Sequence, residues 1–148
     1  MNEEKIELFD FEKLKVYQKS LDFVDFVYEL TKSFPPNEQY GICSQFKRAA
    51  CSISLNIGEG SAGSRKEFIQ FLTISFRSMR ECVVCTSICA RQKYIDQKTE
   101  TLLRNKLIEI SKMISGLIKY LESTQAKTNL SEPSADYLLS TNYELPTT

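Results

Sequence analysis

The chain has 148 residues, with 19 basic and 19 acidic side chains and no histidine, so its formal net charge is zero. This length suits one domain that closes its core without disulfides or metal, and the neutral balance gives no sign of a generally polyanion-seeking protein. Because histidine is the commonest general base and metal ligand, its absence argues against an enzyme. We predict a non-enzymatic protein with no cofactor and no metal.

The charge is unevenly distributed along the chain. Residues 1–10 and residues 121–148 each contain four acids and one base, which leaves a net charge of +6 for residues 11–120. No apolar run approaches the roughly 18 residues that span a bilayer, and the N-terminus is acidic where a secretory signal would be basic. Five cysteines cannot all pair, and a reducing compartment leaves them as small buried hydrophobic residues. We therefore expect a cytoplasmic protein with no membrane partner.

The first predicted helix runs from about residue 11 to 33. Asp10 precedes it as an N-cap, with Phe9 and Leu14 placed for a hydrophobic staple. Two neighbouring apolar stripes with helical spacing predict that two sides of this helix are buried. The first stripe is Leu14, Tyr17, Leu21, Val24 and Tyr28, and the second is Val16, Phe23, Val27 and Leu30.

The second predicted helix follows two prolines at 35 and 36, with Asn37 as its cap. It continues to about Ile57, where a group of glycines is predicted to end it. Those glycines are Gly58, Gly60 and Gly63. The predicted core stripe of this helix is Ile42, Phe46, Ala49, Ile53 and Ile57.

A capping-box sequence from Ser64 to Glu67 starts a third helix, which runs to about Lys93, and Asp96 can cap the fourth. Short turns between long helices predict an all-α, antiparallel up-down four-helix bundle over residues 9–123. Residues 124–148 are polar and lack a helical period, so we predict a flexible C-terminal tail there. The third helix turns Phe68, Leu72, Met79, Val83 and Thr86 inward, and the fourth turns Leu103, Leu107, Ile110, Ile114, Leu117 and Leu121 inward.

Three cysteines of the third predicted helix have a spacing like that of a zinc site. Cys82, Cys85 and Cys89 project from one side of the helix, but metal sites usually take a ligand from a second element as well. By helical angle, Cys82 and Cys89 flank the predicted core stripe. We therefore interpret all three as small core residues.

The second predicted helix has a polar face beside its core stripe. Polar groups beside a core need partners, so we predict a hydrogen-bonded network within or between subunits, in preference to a ligand site. The side opposite the core is small or apolar, which predicts that another subunit covers it and that the chain self-associates. The polar set is Gln45, Arg48, Ser52, Asn56 and Glu59, with Glu81 of the third helix; the small set is Ser44, Cys51, Ser54, Leu55 and Gly58.

The third predicted helix has a basic stripe that points away from its core stripe. Four cations fall within an arc of roughly 60°, and such a line can hold the phosphates of RNA or DNA without recognising sequence. The alternative is a solvated face, neutralised by Glu81 or by the acids of another subunit. No aromatic platform lies beside the stripe, which argues against specific single-strand recognition. The four cations are Lys66, Arg77, Arg80 and Arg91.

Two stretches of the sequence resemble a known family. The string FEKLKVYQKS, and the stretch LTKSFPPNEQYGICSQFKRAACSISLNIGEGSAGSRKEFIQFLTISFRSMRE, are similar to the four-helix bundle proteins first noted as reading frames in 23S ribosomal RNA intervening sequences. The resemblance covers about residues 9–122. Its most specific pieces are Phe34-Pro35 with Glu38, Tyr40 and Gly41, then Ser44-Gln45, Arg48-Ala49, Ser52, Asn56-Ile57, Glu59-Gly60, Glu67-Phe68, Phe71-Leu72, Ser78 and Glu81.

This resemblance implies an antiparallel four-helix bundle that assembles as a ring of five subunits and has no established biochemical role. A related branch, the accessory variability determinant of diversity-generating retroelements, is similar to the same bundle and binds nucleic acid and a reverse transcriptase through a basic surface. The present chain departs from that branch in its zero net charge. It also has Gly58 and Cys51 where the family usually has Ala and Val, and Gln92-Lys93 where a Leu-Gly pair is common.

Two functional hypotheses follow from these observations. The first is a homo-oligomeric, pentameric bundle whose basic stripe binds the backbone of RNA or DNA. The second is a ring-shaped scaffold that binds a protein partner through its polar face or its tail and has no affinity for nucleic acid.

Overall fold

The computed structural model describes residues 3–125 of the chain. This part is all-α, as predicted, and contains no strand. Two short 3-10 helices, Asp10–Lys13 and Pro36–Glu38, precede the first and second α-helix. The predicted C-terminal tail begins inside the last helix, and its residues 126–148 lie outside the described part. The α-helices are α1 (Lys15–Thr31), α2 (Ile42–Ser61), α3 (Arg65–Arg91) and α4 (Gln97–Gln125).

The four helices pack around one hydrophobic core. Each helix contacts the next along the chain, α2 packs most extensively on α3, and α1 also touches α4. Most positions of the predicted core stripes are buried, and each fully buried aliphatic or aromatic side chain contributes roughly 1.5–3 kcal/mol. Ile42, Val83 and Leu117 are only half-buried. None of the helices within residues 3–125 combines the length and hydropathy needed to cross a membrane.

α1 begins later than predicted and buries one of its two apolar stripes. The backbone of Leu14 is extended, with ψ 129°, and separates the 3-10 helix Asp10–Lys13 from α1. Asp10 therefore opens a 3-10 helix and does not cap an α-helix. Leu21 and Tyr28, from the first stripe, are 38% and 45% exposed. The buried side of α1 is formed by Val16, Ser20, Phe23, Val27 and Thr31.

α2 also begins later than predicted, because the chain first forms the 3-10 helix Pro36–Glu38, which begins at the second proline. Asn37 lies within that turn and does not cap the helix. The carboxylate of Glu38 instead accepts a hydrogen bond from the N–H of Ile42, at 3.2 Å. An acid near a helix N-terminus satisfies one of the free N–H groups there.

Two of the three glycines predicted to end α2 lie inside the helix. α2 continues through Gly58 and Gly60 to Ser61. A Cβ at position 58 would lie 3.1 Å from a ring carbon of Phe11, and one at position 60 would overlap Phe71. These glycines allow neighbouring segments to approach closely, and the prediction that they terminate the helix is wrong.

The predicted N-caps of α3 and α4 are both present. Ser64 Oγ accepts a hydrogen bond from the N–H of Glu67 at 3.2 Å, and Asp96 Oδ1 accepts one from the N–H of Thr99 at 2.7 Å. The hydrogen bonds from Thr99 hold the pKa of Asp96 below its usual value. α3 ends at Arg91, two residues before the predicted end. The chain then turns into α4 at Lys93, whose φ of 61° is left-handed.

Candidate functional site

The four cations of the predicted basic stripe are exposed on α3. Within residues 3–125, none of the four forms an ion pair. At 1.5 Å per residue, Lys66 and Arg91 lie about 37 Å apart along the helix, close to one turn of duplex nucleic acid at roughly 34–36 Å. The surface therefore offers a line of unneutralised cations with the length of one duplex turn.

Two apolar side chains that were not predicted as part of the basic stripe interrupt it. Val84 is 58% exposed and Ile88 is 41% exposed. Val84 and Ile88 follow Arg80 by one and two helical turns and precede Arg91, so they lie on the same side of α3 as these two arginines. The available signal was their helical angle, which is that of the cations and not that of the core. The α3 outer stripe, as defined from here on, is Lys66, Arg77, Arg80, Val84, Ile88 and Arg91.

The predicted polar face of α2 forms hydrogen bonds along α3. Nε2 of Gln45 donates to Oε1 of Glu81, and Ser52 Oγ lies 2.8 Å from Ser78 Oγ. Nδ2 of Asn56 donates to the carbonyl oxygen of Ser52 at 2.8 Å and to its Oγ at 3.1 Å. Glu81 accepts the hydrogen bond from Gln45 and, within residues 3–125, forms no ion pair with a cation of the stripe. The structure thus brings four of the six predicted residues into contacts within one subunit.

The other two residues of the predicted polar set lie on the surface of α2. Arg48 and Glu59 are exposed, and neither forms a side-chain hydrogen bond or an ion pair within the described part of the chain. Leu55 lies between them on the same face and is 67% exposed. Their role in an interface stays a prediction.

Two of the small residues of α2, Cys51 and Ser54, contact α1 of the same chain. Ser54 Oγ lies 2.8 Å from Ser20 Oγ in the core, and Cys51 Sγ lies 3.8 Å from the hydroxyl of Tyr28. At these two positions the cover that was predicted from a second subunit is supplied by α1, and at Gly58 the neighbour is Phe11 of the first 3-10 helix. Self-association stays a prediction, and of this small set only Leu55 is largely exposed to support it.

The cysteines of α3 are core residues. Cys82, Cys85 and Cys89 are at most 2% exposed, and all five cysteines of the chain are free thiols. Burial raises the pKa of Cys85 to about 11 and that of Cys89 to about 12, so both thiols are protonated at neutral pH. Among residues 3–125, no group of three potential ligand side chains is placed to hold a metal ion.

Comparisons with known proteins place this arrangement beside one family. The family model described as 23S rRNA-intervening sequence protein matches residues 12–116, more than half of the 148 residues. A solved structure of a protein of unknown function from the S23 ribosomal protein family of Bacteroides thetaiotaomicron is similar, with a TM-score of 0.67 and 27% sequence identity. The match covers 73% of this chain and 98% of that one. No curated protein matches the chain.

Proposed function

The chain belongs to the family of 23S rRNA-intervening sequence proteins, and from that premise we propose that it is a non-enzymatic homo-oligomer whose α3 outer stripe binds the phosphate backbone of RNA or DNA. Each subunit is an antiparallel up-down bundle. Consecutive helices pack on each other, and only three residues separate α2 from α3, too few to carry the chain back to the other end. Five subunits form a ring, as the family resemblance implies.

The nucleic-acid proposal rests on one observation, which is that the cations of the stripe are exposed and unpaired within residues 3–125. Arg77, Arg80 and Arg91 are exposed and have no acidic partner within residues 3–125. A guanidinium can hold a phosphate through two parallel hydrogen bonds. Because the whole chain is neutral, its attraction for nucleic acid is local to this helix and not a property of the net charge.

The composition of the stripe also limits how it binds. Its exposed apolar members, Val84 and Ile88, are aliphatic and offer no ring for base stacking. Contacts to phosphates position a nucleic acid without reading its bases. We therefore propose binding that is independent of sequence and strongly dependent on salt.

Exposed aliphatic residues on three helices support self-association. Leu55 of α2, Val84 of α3 and Ile108 of α4 are 67%, 58% and 50% exposed. Single exposed apolar residues are common on monomers, but an assembly that buries several of them gains roughly 25 cal/mol per Å² of apolar area.

The experiment compares binding of a labelled RNA hairpin and a duplex DNA at low salt by fluorescence anisotropy. The stripe variant combines Arg77→Ala, Arg80→Ala and Arg91→Ala. The matched control removes three exposed lysines of α4 with the same loss of charge, Lys98→Ala, Lys112→Ala and Lys119→Ala.

We expect the stripe variant to bind at least about tenfold more weakly than wild type, because phosphate contacts dominate such affinities. The control should lose much less. Equal losses in the two variants would show that general charge, and not the stripe, attracts the nucleic acid. Absence of binding by the wild type at low salt would contradict the proposal.

The second candidate function is a scaffold that binds a protein partner. The observation in its favour is the exposure of Val84 and Ile88 inside the stripe, because arginine and apolar residues together are typical of the centres of protein interfaces. A partner captured equally well at low and high salt, by a protein with no affinity for nucleic acid, would support this candidate over the first.

A further inference from the structure

The residues before the first 3-10 helix form an exposed arm that is both apolar and acidic. In this N-terminal arm, residues 3–9, the side chains of Ile6, Leu8 and Phe9 are 83%, 44% and 74% exposed. The arm also contains three glutamates against one lysine. A single subunit leaves these apolar side chains largely in water, which is unfavourable in proportion to their area.

The C-terminal half of the α3 outer stripe has the complementary composition. Its two exposed aliphatic side chains, Val84 and Ile88, are bracketed by Arg80 and Arg91. The arm is aliphatic and anionic, whereas this surface is aliphatic and has a net positive charge, with Arg80 and Arg91 against the exposed Glu81 at its edge. Complementary charge of this kind favours encounter and fixes the register of two surfaces.

The spacing of the apolar residues also agrees. In an extended chain, Ile6 and Leu8 lie on the same side, about 6.6 Å apart. On α3, Val84 and Ile88 are one turn apart, about 6 Å along the axis. The two pairs can therefore contact each other at the same time.

The arm of the same subunit cannot reach this surface. Phe9 stacks on Phe11, with ring centroids 6.3 Å apart, and Phe11 lies against Gly58 near the end of α2. Near that end of α2, Gly60 packs against Phe71 of α3. Val84 lies 13 residues beyond Phe71, which is about 20 Å farther along the axis of α3. Three residues of extended chain beyond Phe9 span only about 11 Å.

We infer that the N-terminal arm of one copy lies on the C-terminal half of the α3 outer stripe of a second copy. Ile6 and Leu8 pack on Val84 and Ile88, and the arm's glutamates face the flanking arginines. This inference rests on the proposed self-association. It also gives that proposal a regulatory consequence, because the glutamates occupy cations that a nucleic acid would use, so that arm and phosphates compete.

Cross-linking between two differently tagged copies tests the contact directly. One copy carries Ile6→Cys and the other Val84→Cys, both with Cys51→Ser to remove the half-exposed native thiol. Mild oxidation should join the two copies at least about fivefold more than when Lys112→Cys replaces Val84→Cys, because a disulfide needs its Cα atoms within about 7 Å. Equal yields from the two pairs would overturn the inference.

Charge reversal tests the pairing in the full-length protein by sedimentation. The arm variant, Glu4→Lys with Glu7→Lys, should weaken assembly about tenfold, and so should the arginine variant, Arg80→Glu with Arg91→Glu. Combining the two pairs of substitutions should restore assembly, because the opposite charges then face each other again. If the Glu4→Lys, Glu7→Lys variant assembles as strongly as wild type, the inference is overturned, but the proposed oligomer is not. A wild-type protein that is monomeric at micromolar concentration overturns both. If removal of residues 126–148 dissociates the assembly and the arm variant does not, the C-terminal tail and not the arm occupies the α3 outer stripe. That result would overturn the inference.

The affinity for duplex DNA tests the competition between the arm and the phosphates. Replacing the arm's acids, Glu3→Gln, Glu4→Gln and Glu7→Gln, should raise affinity for the duplex DNA about threefold or more at low salt, since uncompensated cations bind phosphates more strongly. Unchanged affinity, in a wild type that does bind DNA, would overturn the competition between arm and phosphates.

Discussion

Gly60 of α2 lies so close to Phe71 of α3 that a Cβ at position 60 would overlap the Cβ of the phenylalanine. The Phe71 Cβ is attached directly to its backbone, so it can move away only if the two helices separate. A close approach within the most extensively packed helix pair therefore depends on a glycine inside a helix.

Gly60→Ala should lower the free energy of unfolding by about 1–3 kcal/mol, the usual cost of overpacking, although alanine gains up to about 1 kcal/mol in helix propensity. Gly58→Ala is the matched control, because its Cβ meets only the ring of Phe11, at 3.1 Å, which can shift slightly. We expect the control to change stability by less than about 0.5 kcal/mol. Urea denaturation of both variants checks this, and equal losses would contradict the account of Gly60.

Lys93→Gly should stabilise the protein. Lys93 has a left-handed φ of 61°, which costs a residue with a Cβ about 1 kcal/mol relative to glycine. Lys93→Ala removes the same side chain but keeps the Cβ, so the gain in Tm should appear with glycine and not with alanine. Equal effects of the two substitutions would mean that the lysine side chain, and not its backbone, matters.

Stability should fall as pH rises above about 9. Unfolded thiols lose their protons near pH 9, whereas burial raises the pKa of Cys85 to about 11 and of Cys89 to about 12 in the folded state. The folded state thus favours the neutral thiols. This contribution is complete below pH 9 and is lost as pH rises to about 11 for Cys85 and to about 12 for Cys89. At pH 10 the loss is about 1 kcal/mol per thiol.

Chemical denaturation between pH 8 and 10 measures this slope. A variant with Cys85→Ala and Cys89→Ala should have a shallower slope than wild type, whatever its stability at pH 8. The same slope in both proteins would assign the pH dependence to other groups.

Ser20→Ala should cost more stability than Ser54→Ala. Ser20 Oγ lies 2.6 Å from the carbonyl oxygen of Tyr17 and donates to it, so the 2.8 Å contact between the two hydroxyls requires Ser54 as the donor. Removing the Ser20 hydroxyl leaves Ser54 without this acceptor in the core, at about 1–3 kcal/mol. Removing the Ser54 hydroxyl leaves the Ser20 donor satisfied. Equal costs in thermal or urea unfolding would contradict this assignment of donors.

Much of the core could be predicted from sequence because apolar periodicity records which side of each helix is buried. The caps Ser64 and Asp96 were also predictable, since each acts within its own turn. The starts of α1 and α2 were not, because Leu14 is extended and Glu38 caps from within a 3-10 turn. Neither feature has a strong local signal.

The candidate site was predictable only where the signal lies on one helix. The polar face of α2 was visible because it adjoins a core stripe, but its partner Ser78 lies on α3 and could not be identified from α2 alone. The cover of Cys51 and Ser54 by α1 was missed for the same reason, since it depends on how two helices pack. The stripe on α3 was predicted from its charged residues alone, so the exposed Val84 among its arginines was not predicted.

The salt dependence of duplex DNA binding tests the central claim most directly. The logarithm of the binding constant should fall linearly with the logarithm of salt concentration, by about 0.9 per phosphate contacted. In the variant with Arg77, Arg80 and Arg91 replaced by alanine, the slope should be smaller in magnitude by up to about 2.7, while the α4 lysine control keeps the wild-type slope. Identical slopes in wild type and stripe variant would contradict the claim that the α3 outer stripe binds the phosphate backbone.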